Sequence, residues 1–174
     1  QVAAGDDALL ERCANESIRM AQRSLTLRRV MQPLTLELEH GKSRLEPGVL
    51  IATMLAATNR SAAPGLERFD PAHYEGRRLA KDALLPGREL VSTFGHGRHA
   101  CPAQRFSITA IRTAVRRVLA GFELTPRFTS AAPRRRQIGA VARAARPCEV
   151  DYRARRGAPL SPPQYPIPAA ARDL

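Results

Sequence analysis

The sequence has no tryptophan, only three tyrosines and five phenylalanines in 174 residues, and Lys42 and Lys81 are the only lysines among its 28 basic residues. So few aromatic groups leave no stacking platform for nucleic acid, and neither a helix-turn-helix nor a zinc-finger spacing is present. Long apolar runs are missing too. The longest, Val49 to Ala57, is interrupted by Thr53 and is far too short for a bilayer, which needs about 20 residues; no signal peptide is visible. Three cysteines, at 13, 101 and 148, form an odd and widely spaced set that does not read as a disulfide framework. A reducing compartment, hence a cytoplasmic location, is expected.

What is present bounds the answer further. The length suffices for one ordinary core, and a hydrophobic fraction of 44% lies in the globular range. Fourteen prolines argue against a bundle of long uninterrupted helices. The formal charge of +12 is carried by arginine, and between Arg98 and Arg156 fourteen arginines face only Glu123, Glu149 and Asp151. Such a surface attracts nucleic acid, an anionic membrane or an acidic protein without saying which.

Along the chain, Asp6 and Asp7 precede Leu10, Cys13, Ser17 and Met20 at helical spacing, which predicts a helix over 7–21. Glu16 and Arg19 fall on one part of its surface. From Leu25 to Glu39 the period becomes two, with turns at Gly41 and Pro47-Gly48, predicting a small β-meander. Val49 to Ala57 reads as a buried strand or short helix, and 59–89 as mostly irregular. After Cys101, apolar residues at Ile108, Ile111, Val115, Val118 and Phe122 mark one side of a helix that Gly121 ends, with Arg105, Arg112 and Arg116 on the other. Gln137 to Arg143 with Cys148 to Tyr152 reads as a short hairpin. Residues 157–174, with five prolines, read as a loose tail.

The chemistry concentrates in Phe94-Gly95-His96-Gly97-Arg98-His99-Ala100-Cys101-Pro102-Ala103, a Gly-rich loop delivering a cysteine to the start of a long helix. Unpaired backbone N–H groups and the positive end of the dipole favour a thiolate there. Glycines let the backbone approach a flat group closely.

This loop resembles the haem-binding loop of the cytochrome P450 family: Phe, two Gly, a basic residue two before the Cys and a small residue two after it. The resemblance implies that Cys101 is the axial haem-iron ligand, that Phe94 and Gly95 pack by the thiolate, and that His99 reaches a propionate. Ala103 stands where Gly is commoner, and Gln104 resembles a residue that tunes the sulfur. Upstream, Glu16-Ser17-Ile18-Arg19 resembles the family's Glu-x-x-Arg helix. Phe69-Asp70-Pro71-Ala72-His73 resembles its Phe-x-Pro-x-Arg segment, with His73 where Arg is usual, so Glu16, Arg19 and His73 would form a clamp beneath the loop. Arg28 matches a strand residue that supports a propionate.

The resemblance covers about residues 8–155. It implies an α+β, mainly helical fold: the C-terminal part of the cytochrome P450 fold over 1–156, with upstream sequence expected before Gln1, then the Pro-rich tail. The implied activity is haem-dependent monooxygenation of a small apolar substrate. Electrons would come from NAD(P)H through a ferredoxin or flavin-containing reductase docking on Arg105, Arg112 and Arg116. This segment alone is expected to be inactive. Other readings stay open: a haem-binding or vestigial fragment without catalysis, and a basic nucleic-acid module. Zinc on His96, His99 and Cys101 lacks a fourth protein ligand and a Cys-x-x-Cys knuckle, and a phosphate cradle at Gly95-x-Gly97 lacks a following Lys.

Overall fold

The computed structural model describes residues 6–77, 79, 91–134, 137–139 and 141–156. Helix α1, Asp7–Ala21, starts where the sequence predicts because the Asp6 side chain accepts from the Leu9 N–H at 2.8 Å, replacing a hydrogen bond that the first turn lacks. It ends at Gln22, whose extended backbone leads into strand β1, Leu25–Arg29. Strands β2, Leu34–Leu38, and β3, Gly41–Leu45, form a hairpin in which Leu38 faces Gly41. Strand β4, Leu50–Met54, then returns antiparallel to β1, with Leu25 opposite Met54 and Arg29 opposite Leu50. The hairpin is thus enclosed between two paired strands, which corrects the expected meander: β1 pairs with β4 and not with β2, so two separate two-stranded ladders replace a run of consecutive neighbours.

Helix α2, Leu55–Ser61, follows β4 directly. Val49 to Ala57 is therefore the end of a turn, a strand and the start of a helix, and it is not uniformly buried: Leu50 and Met54 are more than half exposed. The expected irregular stretch is shorter than its sequence suggests, since α2 runs into it and Pro71–Arg77 forms a 3-10 segment kinked at Glu75 and Gly76. The remainder of that stretch at 78 and 80–90, and the expected tail 157–174, lie outside the described residues.

Helix α3, Gln104–Gly121, runs from the cysteine loop to strand β5, Phe122–Pro126, which pairs antiparallel with β6, Val150–Ala154. This corrects the expected terminal hairpin. The partner of 150–154 is 122–126, while Val141 bridges to Gln22 at the end of α1 and the Gly139 N–H donates to the Arg23 carbonyl at 2.9 Å. Alternation gives Val150, Tyr152 and Ala154 one face and sets them against Pro126, Leu124 and Phe122. Phe122 and Tyr152 meet edge to face, their ring centres 5.7 Å apart.

Helix α1 is the hub, packing on α2, on the 3-10 segment and on α3. Its Leu10 and Ala14 are buried, as are Leu55, Leu66, Val91 and Ile108 from the rest of the chain. Beyond Ile108 the apolar stripe of α3 is only partly covered, with Val115 and Val118 exposed. Arg112 also departs from expectation. It reaches α1, donating to Glu11 at 2.8 Å and Asp7 at 3.2 Å, and Arg116 pairs with Asp7 as well. Two of the three arginines assigned to a free face therefore join the helices, because the acidic first turns of α1 lie opposite them.

Candidate functional site: a buried clamp under a cysteine loop

Glu16 and Arg19 have no exposed surface. Helical i,i+3 spacing puts them side by side, and packing of α1 against the 3-10 segment removes them from water. Arg19 Nε donates to Glu16 Oε2 at 2.7 Å and Nη2 to Oε1 at 2.6 Å, the two-pronged geometry of guanidinium on carboxylate. Its other N–H groups go to the carbonyls of Leu66 at 2.7 Å, Arg68 at 3.0 Å and Asn59. All five guanidinium donors are thus used.

Glu16 Oε1 also accepts from the Asp70 N–H at 2.9 Å and faces His73 Nδ1 at 3.0 Å. Burial alone pushes the Glu16 carboxyl up. The bonds from Arg19 and Asp70, the Arg19 charge and the bond from His73 together outweigh it and hold the carboxyl below its ordinary range. The geometry brings Glu16, Arg19 and His73 together, and the histidine makes its bond from a side chain 13% exposed. Tyr74, the next residue, has its phenol pushed up first by burial and then by the Glu16 charge, so it stays neutral beside the clamp.

One buried residue was not legible in advance. Asn59, on α2, has no exposed surface. Its amide Nδ2 donates to the Arg19 carbonyl at 3.3 Å and the Ser92 carbonyl at 2.8 Å, while Oδ1 accepts from the Ser92 N–H at 2.7 Å. Asparagine lies in a stretch without periodicity, and the one available signal was its place among the polar residues Thr58-Asn59-Arg60 that follow the apolar β4–α2 run.

From Ser92 the chain enters the cysteine loop. The Ser92 hydroxyl accepts from the Gly95 N–H at 3.2 Å, and His96 Nε2 approaches the Val91 carbonyl at 3.0 Å. Gly95 and Gly97 have φ of 79° and 60°, left-handed values that carry no Cβ penalty in glycine. The Cys101 N–H then donates to the Phe94 carbonyl at 2.6 Å and closes the loop. Cys101 sits three residues before α3, whose N-cap Ala103 offers no side-chain acceptor. The first-turn amides of α3 thus lack a side-chain cap.

The other expected site residues sit around this frame. Phe94 is half-buried; Gly95, Ala103, Gln104 and Arg105 are exposed. His99 ends a short 3-10 turn, Gly97–His99, and its side chain lies outside the described residues. Arg28, on β1, is exposed, with Nη1 donating to the Leu27 carbonyl at 2.9 Å. Cys13 is half-buried and Cys148 exposed, and both thiols are free.

The donor set can be tested against a haem. Cys101 is a free, half-buried thiol, and among the described residues no three His, Cys, Asp or Glu side chains converge. His96 is already turned to Val91. A single sulfur donor suits a metal whose other positions are filled by its own macrocycle, whereas zinc takes three or four protein ligands. The residues present fit the group.

No protein-family model matches the chain. A Mycobacterium tuberculosis protein designated cytochrome P450 135B1 is 32% identical over 133 residues, covering 74% of this chain and 26% of the relative. Cytochrome P450 monooxygenase prx8 of Penicillium rubens is 30% identical over 126 residues, 66% of this chain and 22% of that protein. The chain spans about a quarter of the length of these curated relatives. The crystal structure of the cytochrome P450DA heme domain superposes with a TM-score of 0.65 and 20% identity, over 84% of this chain and 31% of that one. Sequence relationship and shared fold agree: the chain belongs to the cytochrome P450 family.

Proposed function

We propose that the chain is the haem-ligating part of a haem-thiolate monooxygenase, with Cys101 as the axial iron ligand. The observation that supports it is the free, half-buried Cys101 thiol on a loop closed by its own N–H to Phe94, just ahead of α3. When bound, haem supplies dioxygen activation and insertion of one oxygen atom into a small apolar substrate, with the thiolate donating electron density.

The chain's own part is positional. Cys101 holds the sulfur, Phe94 and Gly95 shape the ground beside it, and Ala103 keeps the first turn of the helix small. Gln104 would tune the sulfur, and His99 and Arg28 would hold the propionates of a bound haem. The Glu16, Arg19 and His73 clamp anchors the segments beneath the loop. Electrons derive from NAD(P)H through a ferredoxin or flavin-containing reductase. Of the three arginines considered for that partner, Arg105 is the exposed one not drawn into the α1–α3 ion pairs. Three unpaired cysteines support a reducing, cytoplasmic setting, and among the described residues no helix is long and apolar enough to cross a membrane.

On this reading the chain supplies one side of the site, and hydroxylation requires a covering element for the other. The 174-residue chain is therefore read as a weak haem binder without appreciable turnover. The test is spectroscopic. The chain mixed with haem, reduced and exposed to carbon monoxide should show a red-shifted Soret band that Cys101→Ser abolishes, and that Cys13→Ser and Cys148→Ser leave unchanged. Equal spectra for the parent and Cys101→Ser would overturn the assignment.

A further inference from the structure

We propose that Asn59 is a positioning residue for the thiol loop, a hydrogen-bonded joint through which the ionic clamp holds the register of the segment carrying Cys101. The inference deepens the ligand assignment and rests on it for its functional meaning. Its structural content stands on the amide itself.

Asn59 makes three side-chain hydrogen bonds in a fully buried setting. Both Nδ2 hydrogens are taken, by Arg19 and Ser92 carbonyls, and Oδ1 takes the Ser92 N–H. Ser92 is thereby gripped through both backbone groups, as a neighbouring strand would grip it, although Asn59 itself belongs to helix α2. The backbone of Asn59 meanwhile accepts from Arg19 Nη1. One residue therefore touches the clamp at a guanidinium and at a main-chain carbonyl, and touches the loop at its entry.

From that entry the order is passed on by short links. The Ser92 hydroxyl holds the Gly95 N–H, and the Phe94 carbonyl holds the Cys101 N–H. Gly95 has a left-handed φ, so this bond fixes a residue with wide conformational freedom. Between Asn59 and the sulfur there are only two such links. A buried amide that merely filled space would not need three partners distributed over two separate segments.

The experiment uses the 174-residue chain with Cys13→Ser and Cys148→Ser, so that Cys101 is the sole thiol. Iodoacetamide alkylation, amide hydrogen exchange and the urea midpoint are measured for this parent, for Asn59→Leu, which keeps the branching at Cγ and removes all three bonds, and for Ser92→Ala, which removes only the link to Gly95. Ser92→Ala should raise Gly95 exchange and Cys101 alkylation roughly five-fold, the factor one lost hydrogen bond corresponds to, with little change in midpoint. Asn59→Leu should do the same and also deprotect the Ser92 N–H. Unchanged loop exchange and alkylation in Asn59→Leu would overturn the proposal, as would changes that only track global unfolding. Should Asn59→Leu fail to fold, the smaller Asn59→Ser, which also removes the amide, decides on the same readouts. A parent that shows no red-shifted carbon monoxide band refutes the ligand reading instead, because the exchange and alkylation rates are read without haem.

Discussion

Replacing Arg19 by Met should nearly unfold the chain, and the size of the effect follows from what the side chain holds. Arg19 is fully buried, donates twice to Glu16, and holds the carbonyls of Asn59, Leu66 and Arg68. Removing it leaves the Glu16 carboxylate buried with only the Asp70 N–H and His73 as partners. Breaking a buried pair in this way costs about 3–5 kcal/mol, and each carbonyl left buried without a donor adds about 1–3 kcal/mol. A domain stable by ~5–15 kcal/mol would lose much or all of its margin. Glu16→Gln should cost less, because Arg19 keeps its three carbonyls and a neutral amide still accepts from it. Urea unfolding of the parent, the two single variants and the double variant gives the coupling directly. The exposed pair Arg44–Glu46, 70% and 62% exposed, is the control and should show no measurable coupling. If Arg19→Met shifted stability no more than Arg44→Met, the clamp would be an ordinary helix-surface pair and this reasoning would be wrong.

Four further outcomes are expected. Because the folded Glu16 carboxyl lies below its ordinary value of 4.5, its contribution to stability is fully present above about pH 4.5 and is lost as pH falls through the lower folded value. Acid titration of parent against Glu16→Gln should show the two curves converging at low pH, and a constant gap would refute the sign. His73→Gln should cost about 1.5–3 kcal/mol for the lost bond to a buried carboxylate, read as a urea midpoint shift, while His73→Arg, which restores a fixed charge, should match or exceed the parent. Arg112→Ala should weaken the α1–α3 contact by about 1 kcal/mol or less, the partly exposed ion pairs being screened, and the deficit should shrink with added salt. In a haem-loaded chain, Arg105→Glu should slow reduction by an acidic ferredoxin while barely moving stability; the reverse pattern for Arg105 and Arg112 would refute their assignment to surface and interface.

The residues legible in advance are those whose role is set locally. Asp6 before an apolar-periodic run begins α1 because a cap needs only its own first turn. Glu16 and Arg19 are neighbours by helical geometry. The glycines around Cys101 announce a loop because a left-handed backbone selects glycine. None of this says whether the Glu16–Arg19 pair is wet or dry. Packing of α1 on the 3-10 segment and α2 decided that, and with it the difference between a pair worth tenths of a kcal/mol and one worth several.

Tertiary structure also decided which distant segments met. Period two shows that 150–154 can be a strand, yet it does not choose a partner, and 122–126 took the place expected for 137–143 because it leaves α3 already adjacent to it. The helical wheel put Arg112 opposite the apolar stripe, but Asp7 and Glu11 on α1 drew it into the interface. Asn59 had no pattern to announce it. Its importance arises from three polar partners, at Arg19 and Ser92, that come within hydrogen-bond reach only once α1, α2 and the loop entry have packed and excluded water. The sequence by itself thus determined the local devices, the cap, the pair and the thiol loop; burial and the meeting of remote backbone groups, which no local pattern encodes, were decided by the fold.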